Sequence, residues 1–491
     1  MIDNNAGIIA SLVAYMAVCL LLGFIAYRRT RTLGDFILGG RKLGSWVTAL
    51  SAQASDMSGW LLMGLPGLAY LSGFDAIWLA AGLVVGTWAN WRFIAAKLRA
   101  RTEQLSDSLT LPDYFERRFE DRSRLLRTIS AAFILVFFAF YASSGFVASG
   151  KLFEALFGLP YVEAMLWGSM VMLAYTFFGG FLAVSWSDVL QGTLMFVALV
   201  LVAWMGVHLA GGVTPALDEI AARDPALLDP FIGSGGEALG WIGIASLVGW
   251  GLGYAGQPHI LARFMAIRRV DEMDVARRVA MGWVIVVLAA AIVVGLTGLL
   301  VLAAPLQGAD TEKVFILMST QFFHPVIAGI CLSGILAAVM STASAQLLVS
   351  SSAFAEDFYR GLFRPAAGRG ELLWVGRGAV LAIAAIAFWL GLDPESKVLS
   401  LVAWAWAGFG AAFGPAIILS LYWEGMTRNG ALAGIVVGGI TVIAWPQLEG
   451  EIFGLYELVP GFILSWLAIW LVSVSGARAP SPGGAGTVVR K

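Results

Sequence analysis

The chain has 491 residues, 59% of them hydrophobic and only 13% charged, about half the charged share of an ordinary soluble domain. Its net charge of −1 offers no basic surface for nucleic acid, and two cysteines with three scattered histidines give no metal-ligand spacing. With 19 Trp and 58 Gly, the composition fits an all-α polytopic membrane protein, tryptophans at the interfaces and glycines where helices approach closely.

Apolar runs near the roughly 20 residues that a spanning helix needs predict thirteen spans. They lie near 6–27, 45–72, 74–98, 126–157, 162–185, 187–211, 238–262, 275–304, 323–355, 372–392, 397–422, 428–447 and 457–475. The first lacks the basic flank of a cleaved signal and reads as a retained helix. Cys19 and Cys331 fall inside apolar runs and read as packed thiols. Span 2 holds Ala54-Ser55-Asp56-Met57-Ser58-Gly59-Trp60. An ionised acid mid-bilayer costs a few kcal/mol, so Asp56 marks a site.

Span 2 continues through Gly64-Leu65-Pro66-Gly67, and span 7 reads Gly249-Trp250-Gly251-Leu252-Gly253-Tyr254-Ala255-Gly256-Gln257-Pro258. Both are poor helix material. Packing glycines usually recur every four residues, whereas those of span 7 recur at two and three, so unwinding is expected there. Unwound backbone at membrane depth survives only where it is buried in protein or lines a cavity. Two broken spans five apart predict a five-plus-five inverted-repeat core. The repeats are 45–211 and 238–422, preceded by 1–44 and followed by spans over 428–475 and a disordered tail over 476–491. Span 9 adds Ser341, Thr342 and Ser344 within one turn. Such hydroxyls commonly back-bond within their helix, but opposite a broken helix they suit a hard cation such as sodium.

Basic residues set the orientation. Twenty-seven Lys and Arg fall on one side of this arrangement and three, Arg223, Lys313 and Lys397, on the other. The positive-inside rule then places the N-terminus outside and the C-terminus in the cytoplasm. Arg41, just before span 2, is a candidate for a cytoplasmic gate. Loop 211–237 is acidic and reads as a solvated external loop.

These residues resemble the sodium/solute symporter family, and its proline-transporting members in particular. The resemblance covers nearly the whole chain and is densest in Gly39-Gly40-Arg41, Ala54 to Trp60, Gly179 to Asp188, Trp250 to Phe264 and Ala337 to Thr342. It implies a LeuT-type core in a bacterial inner membrane and sodium-coupled uptake of L-proline, with no enzymatic step. The family's sodium site falls on the backbone of Ala54, Met57 and Ala338 and on the hydroxyls of Ser341 and Thr342. Asp56 matches the acid needed for sodium-dependent transport. The proline pocket falls on Ser58, Gly59, Trp60, Tyr141, Trp250, Tyr254 and Pro258, with Gln257 adjacent. Relatives with a second sodium carry an acid at Asp188 and two further hydroxyls. Here Ser344 is present but the other position is Ala345, which favours one sodium per cycle.

Proline is a zwitterion with an apolar ring, so its pocket needs donors, acceptors and flat walls. Amides near Ser58-Gly59 supply the first, carbonyls of the Gly249–Pro258 break the second, and Trp60, Tyr141, Trp250 and Tyr254 the third. Asp56 has two readings: it ligates or guides sodium, or it caps the half-helix after the break. Other carboxylates or amino acids, proton coupling and a transporter-like membrane sensor remain rival readings. No obligate protein partner is expected, and the few residues after the last span leave no room for a signalling module.

Overall fold

A computed structural model describes residues 2–27, 38–178, 181–233 and 235–477, and their regular structure is helical throughout. Most of the loop after the first span, Gly179-Gly180 and nearly all of the expected tail lie outside the described residues. Among those described, nine helical stretches are long and apolar enough to cross a membrane, with a shorter apolar one over Ala6–Leu22.

The elements in chain order begin with α1 (Ile2–Tyr27) and α2 (Ser45–Asp56). A wide π turn over Trp60–Gly64 leads into α3 (Leu65–Ser72), which starts with Pro66 in its first turn, where the missing N–H costs nothing. Then α4 (Ala76–Ala89) runs through a second π turn, Asn90–Ala95, into α5 (Ala96–Gln104). Thr110 caps α6 (Leu111–Arg118), accepting from the Asp113 amide at 3.2 Å. Gly158 in the left-handed region closes α7 (Leu125–Phe157). The helices α8 (Tyr161–Phe178) and α9 (Phe181–Leu209) follow, so residues 181–185 open the sixth span rather than end the fifth. Loop 211–237 is not fully solvated: it forms α10 (Val213–Arg223), because Ala216 and Ile220 share a buried face.

The second half comprises α11 (Gly240–Gly249), α12 (Pro258–Ala266), α13 (Met273–Val301), α14 (Val314–Phe322), α15 (Pro325–Ser352), α16 (Arg369–Leu390) and α17 (Val398–Tyr422). The chain ends in α18 (Arg428–Ala444) and α19 (Leu458–Ala477). At the centre, α2 is enclosed by α9, α12, α13 and α15, while α1 lies against α9 and α15. The outer pair α18 and α19 packs on α17. Cys19 and Cys331 are buried thiols.

Span 2 breaks where expected, but briefly. Met57 leaves the helix at φ −81°, ψ 80°, and Gly59 is already helical. Span 7 departs from expectation. Trp250–Gly256 is wound as a 3₁₀ helix, and only Gln257 (φ −80°, ψ 107°) is extended before Pro258 opens α12. The glycines explain the difference. A Cβ on Gly251 would strike the Gly82 carbonyl of α4, and one on Gly253 or Gly256 would strike Trp406 or the Phe409 carbonyl of α17. A 3₁₀ helix has three residues per turn, so Gly253 and Gly256 share one face. The spacing read as unwinding is the packing period of a tighter helix.

Candidate functional site

The C-terminal end of α2 delivers two backbone carbonyls and an acid into the protein centre. Ala54, Asp56 and Met57 are fully buried. Ser341 on α15 donates to the Ala54 carbonyl at 2.7 Å and to the Ala338 carbonyl at 3.0 Å, and Thr342 donates to Ala54 at 3.3 Å. Four of the five expected sodium-binding residues therefore meet around one carbonyl. The fifth, Met57, occupies the non-helical position itself, its amide bonded to Gln53 at 2.9 Å. Neutral oxygens from carbonyls and hydroxyls are the donors a hard monovalent cation takes.

Asp56 joins the two broken spans. Its Oδ2 accepts from the Tyr254 hydroxyl at 2.9 Å, while Oδ1 is buried with no hydrogen-bond partner. Its backbone carbonyl accepts from Tyr141 at 3.2 Å and from the Trp60 indole at 3.4 Å. The half-helix beyond the break has Gly59 at its N-cap and receives no side-chain cap. The capping role considered for Asp56 thus has no bond in the structure. Among the described residues this buried carboxylate pairs with no basic side chain, and a nearby cation would favour its ionised form.

The aromatic residues gather alongside. Trp60 and Trp250 lie 6.3 Å apart between ring centroids, and Trp250 stacks at 5.4 Å on Tyr456. Tyr254 meets Trp406 edge-on at 4.9 Å. Ser58 is buried here with its hydroxyl unpartnered. Tyr456 and Trp406 were missed by sequence reasoning, since one sits in the last loop and the other in an ordinary apolar run. Asn90 was also missed; its side chain donates to the Tyr254 carbonyl at 3.1 Å.

Other assignments move. Three carbonyls of the span-7 segment, expected to accept from an ammonium, each already accept one side-chain bond: Trp250 from the Trp406 indole at 2.8 Å, Gly253 from Gln257 at 3.1 Å and Tyr254 from Asn90. Gln257 also donates to the Trp406 carbonyl at 3.2 Å, so it holds the 3₁₀ segment to α17. Pro258 opens α12 and lines a small cavity with Leu38, Thr110, Leu348 and Asp357, apart from the tryptophans. Asp188 accepts from Ser51 at 2.6 Å and pairs with Arg263 at 3.3 Å, with no hydrogen bond to Ser341 or Thr342. Ser344 back-bonds to the Met340 carbonyl.

Arg41 follows two glycines in left-handed conformation and is left-handed itself, at φ 54°. That turn aims its guanidinium at Asp107 (2.5 Å), the Met265 carbonyl (2.7 Å), the Ser108 carbonyl (3.0 Å) and Thr102 (3.2 Å). Burial lowers its pKa from the usual value against the attraction of Asp107. Arg41 therefore ties the entry of α2 to α5 and to the end of α12.

A family model described as the sodium:solute symporter family matches residues 36–438. A sodium/proline symporter of Escherichia coli (strain K12) is 51% identical over 95% of this chain and 92% of its own length. An osmoregulated proline transporter of Bacillus subtilis (strain 168) is 48% identical over 96% of this chain and 95% of its own. Among solved structures, an outward-open, substrate-bound Na+-coupled sialic acid symporter aligns with a TM-score of 0.77 at 19% identity, over 96% of this chain and 98% of that one. A nucleobase-cation-symport-1 transporter in a closed conformation aligns at 0.56 and 13%, over 91% and 96%. At such identities the two structures share the fold alone.

Proposed function

The chain belongs to the sodium:solute symporter family, and we propose that it carries L-proline into the cell by coupling it to inward sodium movement. The observation that carries this reading is the 51% identity to a sodium/proline symporter along 95% of the chain. The meeting of Ala54, Ala338, Ser341 and Thr342 beside Asp56 supports sodium as the coupling ion.

Sodium is held by the Ala54, Met57 and Ala338 carbonyls and the two hydroxyls. The substrate lies along Trp60 and Trp250, with its carboxylate towards the Ser58-Gly59 segment and its ammonium in the field of Asp56. Sodium binding raises affinity for substrate, and by linkage substrate raises affinity for sodium. A single sodium suffices: about 2.3 kcal/mol per 100 mV and about 1.4 for a tenfold gradient together support accumulation of several hundred-fold. The core is read as inverted repeats over 45–211 and 238–422 within thirteen spans, N-terminus outside and C-terminus in the cytoplasm, the membrane being a bacterial inner membrane. Arg41 then belongs to the cytoplasmic closure.

Uptake of labelled proline into proteoliposomes tests this, with and without an imposed sodium gradient and with other amino acids as competitors. Proline accumulation that collapses without sodium is expected. Sodium-independent accumulation, or none, overturns the proposal.

A further inference from the structure

On the outer side of the central bundle, α4 and its π turn, the 3₁₀ segment, α17 and α19 enclose a groove of about 370 Å³. Gly86, Asn90, Phe93, Leu252, Tyr422 and Phe462 line it, and its wall is almost wholly apolar. Phe93, Leu252 and Tyr422 are exposed, so the groove opens to the surroundings of the bundle, which in a membrane are lipid chains.

Two cations mark one end. Lys97 Nζ sits 3.5 Å from the Tyr422 ring centroid, and the Arg92 guanidinium 5.8 Å from that of Phe93. The two residues are joined, the Tyr422 hydroxyl donating to the Phe93 backbone carbonyl at 2.7 Å. Among the described residues neither cation pairs with a carboxylate, whereas the exposed Arg117, Arg223, Arg268, Arg269, Arg360 and Arg364 each do. The inner wall is the functional site's own scaffold: Asn90 holds the Tyr254 carbonyl, and the Tyr254 hydroxyl holds Asp56.

We propose that this groove binds one phospholipid with an anionic headgroup, an acyl chain lying in the groove and the headgroup on Arg92 and Lys97. Charge complementarity selects the occupant. An apolar slot alone accepts any chain, whereas two unpaired cations in the last two turns of span 3, towards the side that the positive-inside rule gives to the cytoplasm, favour a net negative lipid. The lipid then buttresses the wall that fixes Tyr254. The inference rests on the membrane placement and not on the identity of the transported solute.

Native mass spectrometry of delipidated protein tests it, by titration with phosphatidylglycerol and phosphatidylcholine of the same chains and, separately, with inorganic phosphate. Wild type should retain phosphatidylglycerol about thirtyfold more tightly than phosphatidylcholine, as about 1 kcal/mol for each of two headgroup cations warrants. Arg92→Gln with Lys97→Gln should abolish that preference, and Leu252→Trp, or Ile418→Phe if the first fails to fold, should weaken both lipids. Equal retention of the two lipids by wild type, an undiminished preference in the double variant, or inorganic phosphate bound as well as the lipid overturns the proposal. Because the readout is binding, it stands apart from the uptake experiment.

Discussion

Ser341 and Thr342 converge on the Ala54 carbonyl from one turn of α15, so each hydroxyl contributes a separate oxygen to the same centre. Ser341→Ala and Thr342→Ala should each raise the sodium K0.5 of proline uptake about tenfold or more, a loss of about 1.4 kcal/mol, with smaller change at saturating sodium. Asp56 separates charge from shape. Asp56→Asn keeps an acceptor for Tyr254 but removes the negative field, so sodium K0.5 should rise steeply, whereas Asp56→Glu keeps the charge and should lose less. Equal behaviour of the two variants would defeat a charge role. The sequence made these residues legible because an acid and adjacent hydroxyls in apolar runs are costly and stand out. It did not reveal Asn90, Trp406 or Tyr456, whose roles arise from contacts between distant segments. Nor did it show that Asp188 would be claimed by Ser51 and Arg263, since partners of a buried charge depend on which helices adjoin.

At the level of the element, the 3₁₀ segment Trp250–Gly256 is the part that sequence reasoning described least well. Glycine and proline announced an irregular stretch correctly, but not its kind. Low helix propensity is shared by unwound and tightly wound backbone, and only the neighbours α4 and α17 decide between them. Gly253→Ala and Gly256→Ala each place a methyl on Trp406 or on the Phe409 carbonyl. They should destabilise by about 1–3 kcal/mol, read as lowered amounts in the membrane and lower melting temperatures in detergent. Gly282→Ala, in α13, is the contrast. Nothing lies within 4 Å of its added Cβ, and relief of backbone entropy should leave it neutral or stabilised by about 0.5–1 kcal/mol. A loss at Gly282 as large as at Gly253 would mean that packing is not the cause.

Across the whole molecule, ionic ties close the loops at both ends of the bundle. Lys151 at the end of α7 pairs at 2.6 Å with Glu312, whose carboxylate also accepts from the Val398 and Leu399 amides that open α17. Both are buried. Lys151→Met leaves that carboxylate short of its cation and should cost about 3 kcal/mol, measured as a lower melting temperature; an unchanged one would show the pair to be dispensable. At the other end Asp121 accepts from Ser123, the Leu126 amide and Arg428. Burial opposes its charge, but those bonds outweigh it and hold its carboxyl below the usual range. Its stabilisation is therefore full above about pH 4 and lost as pH falls through the lower folded value. The gap in melting temperature between wild type and Asp121→Asn should be present at pH 7 and shrink as pH drops below about 4. A gap independent of pH would rule this out. Apolar runs made the helical membrane architecture legible. The loop ties were not, because charges in loops look alike whether solvated or buried.

The contact between Gly82 and Gly86 on α4 and Gly251 on the 3₁₀ segment is backbone against backbone. Packed helices ordinarily mesh as ridges in grooves, and sliding one past another means climbing from notch to notch. A seam faced with glycine on both sides has no teeth. It behaves as a plain bearing, so resistance to any shift of the segment carrying Trp250 and Tyr254 comes from its opposite face, where Trp406 and Phe409 of α17 pack against Gly253 and Gly256. To that packing are added a few releasable bonds, those from Asn90 and Trp406 foremost.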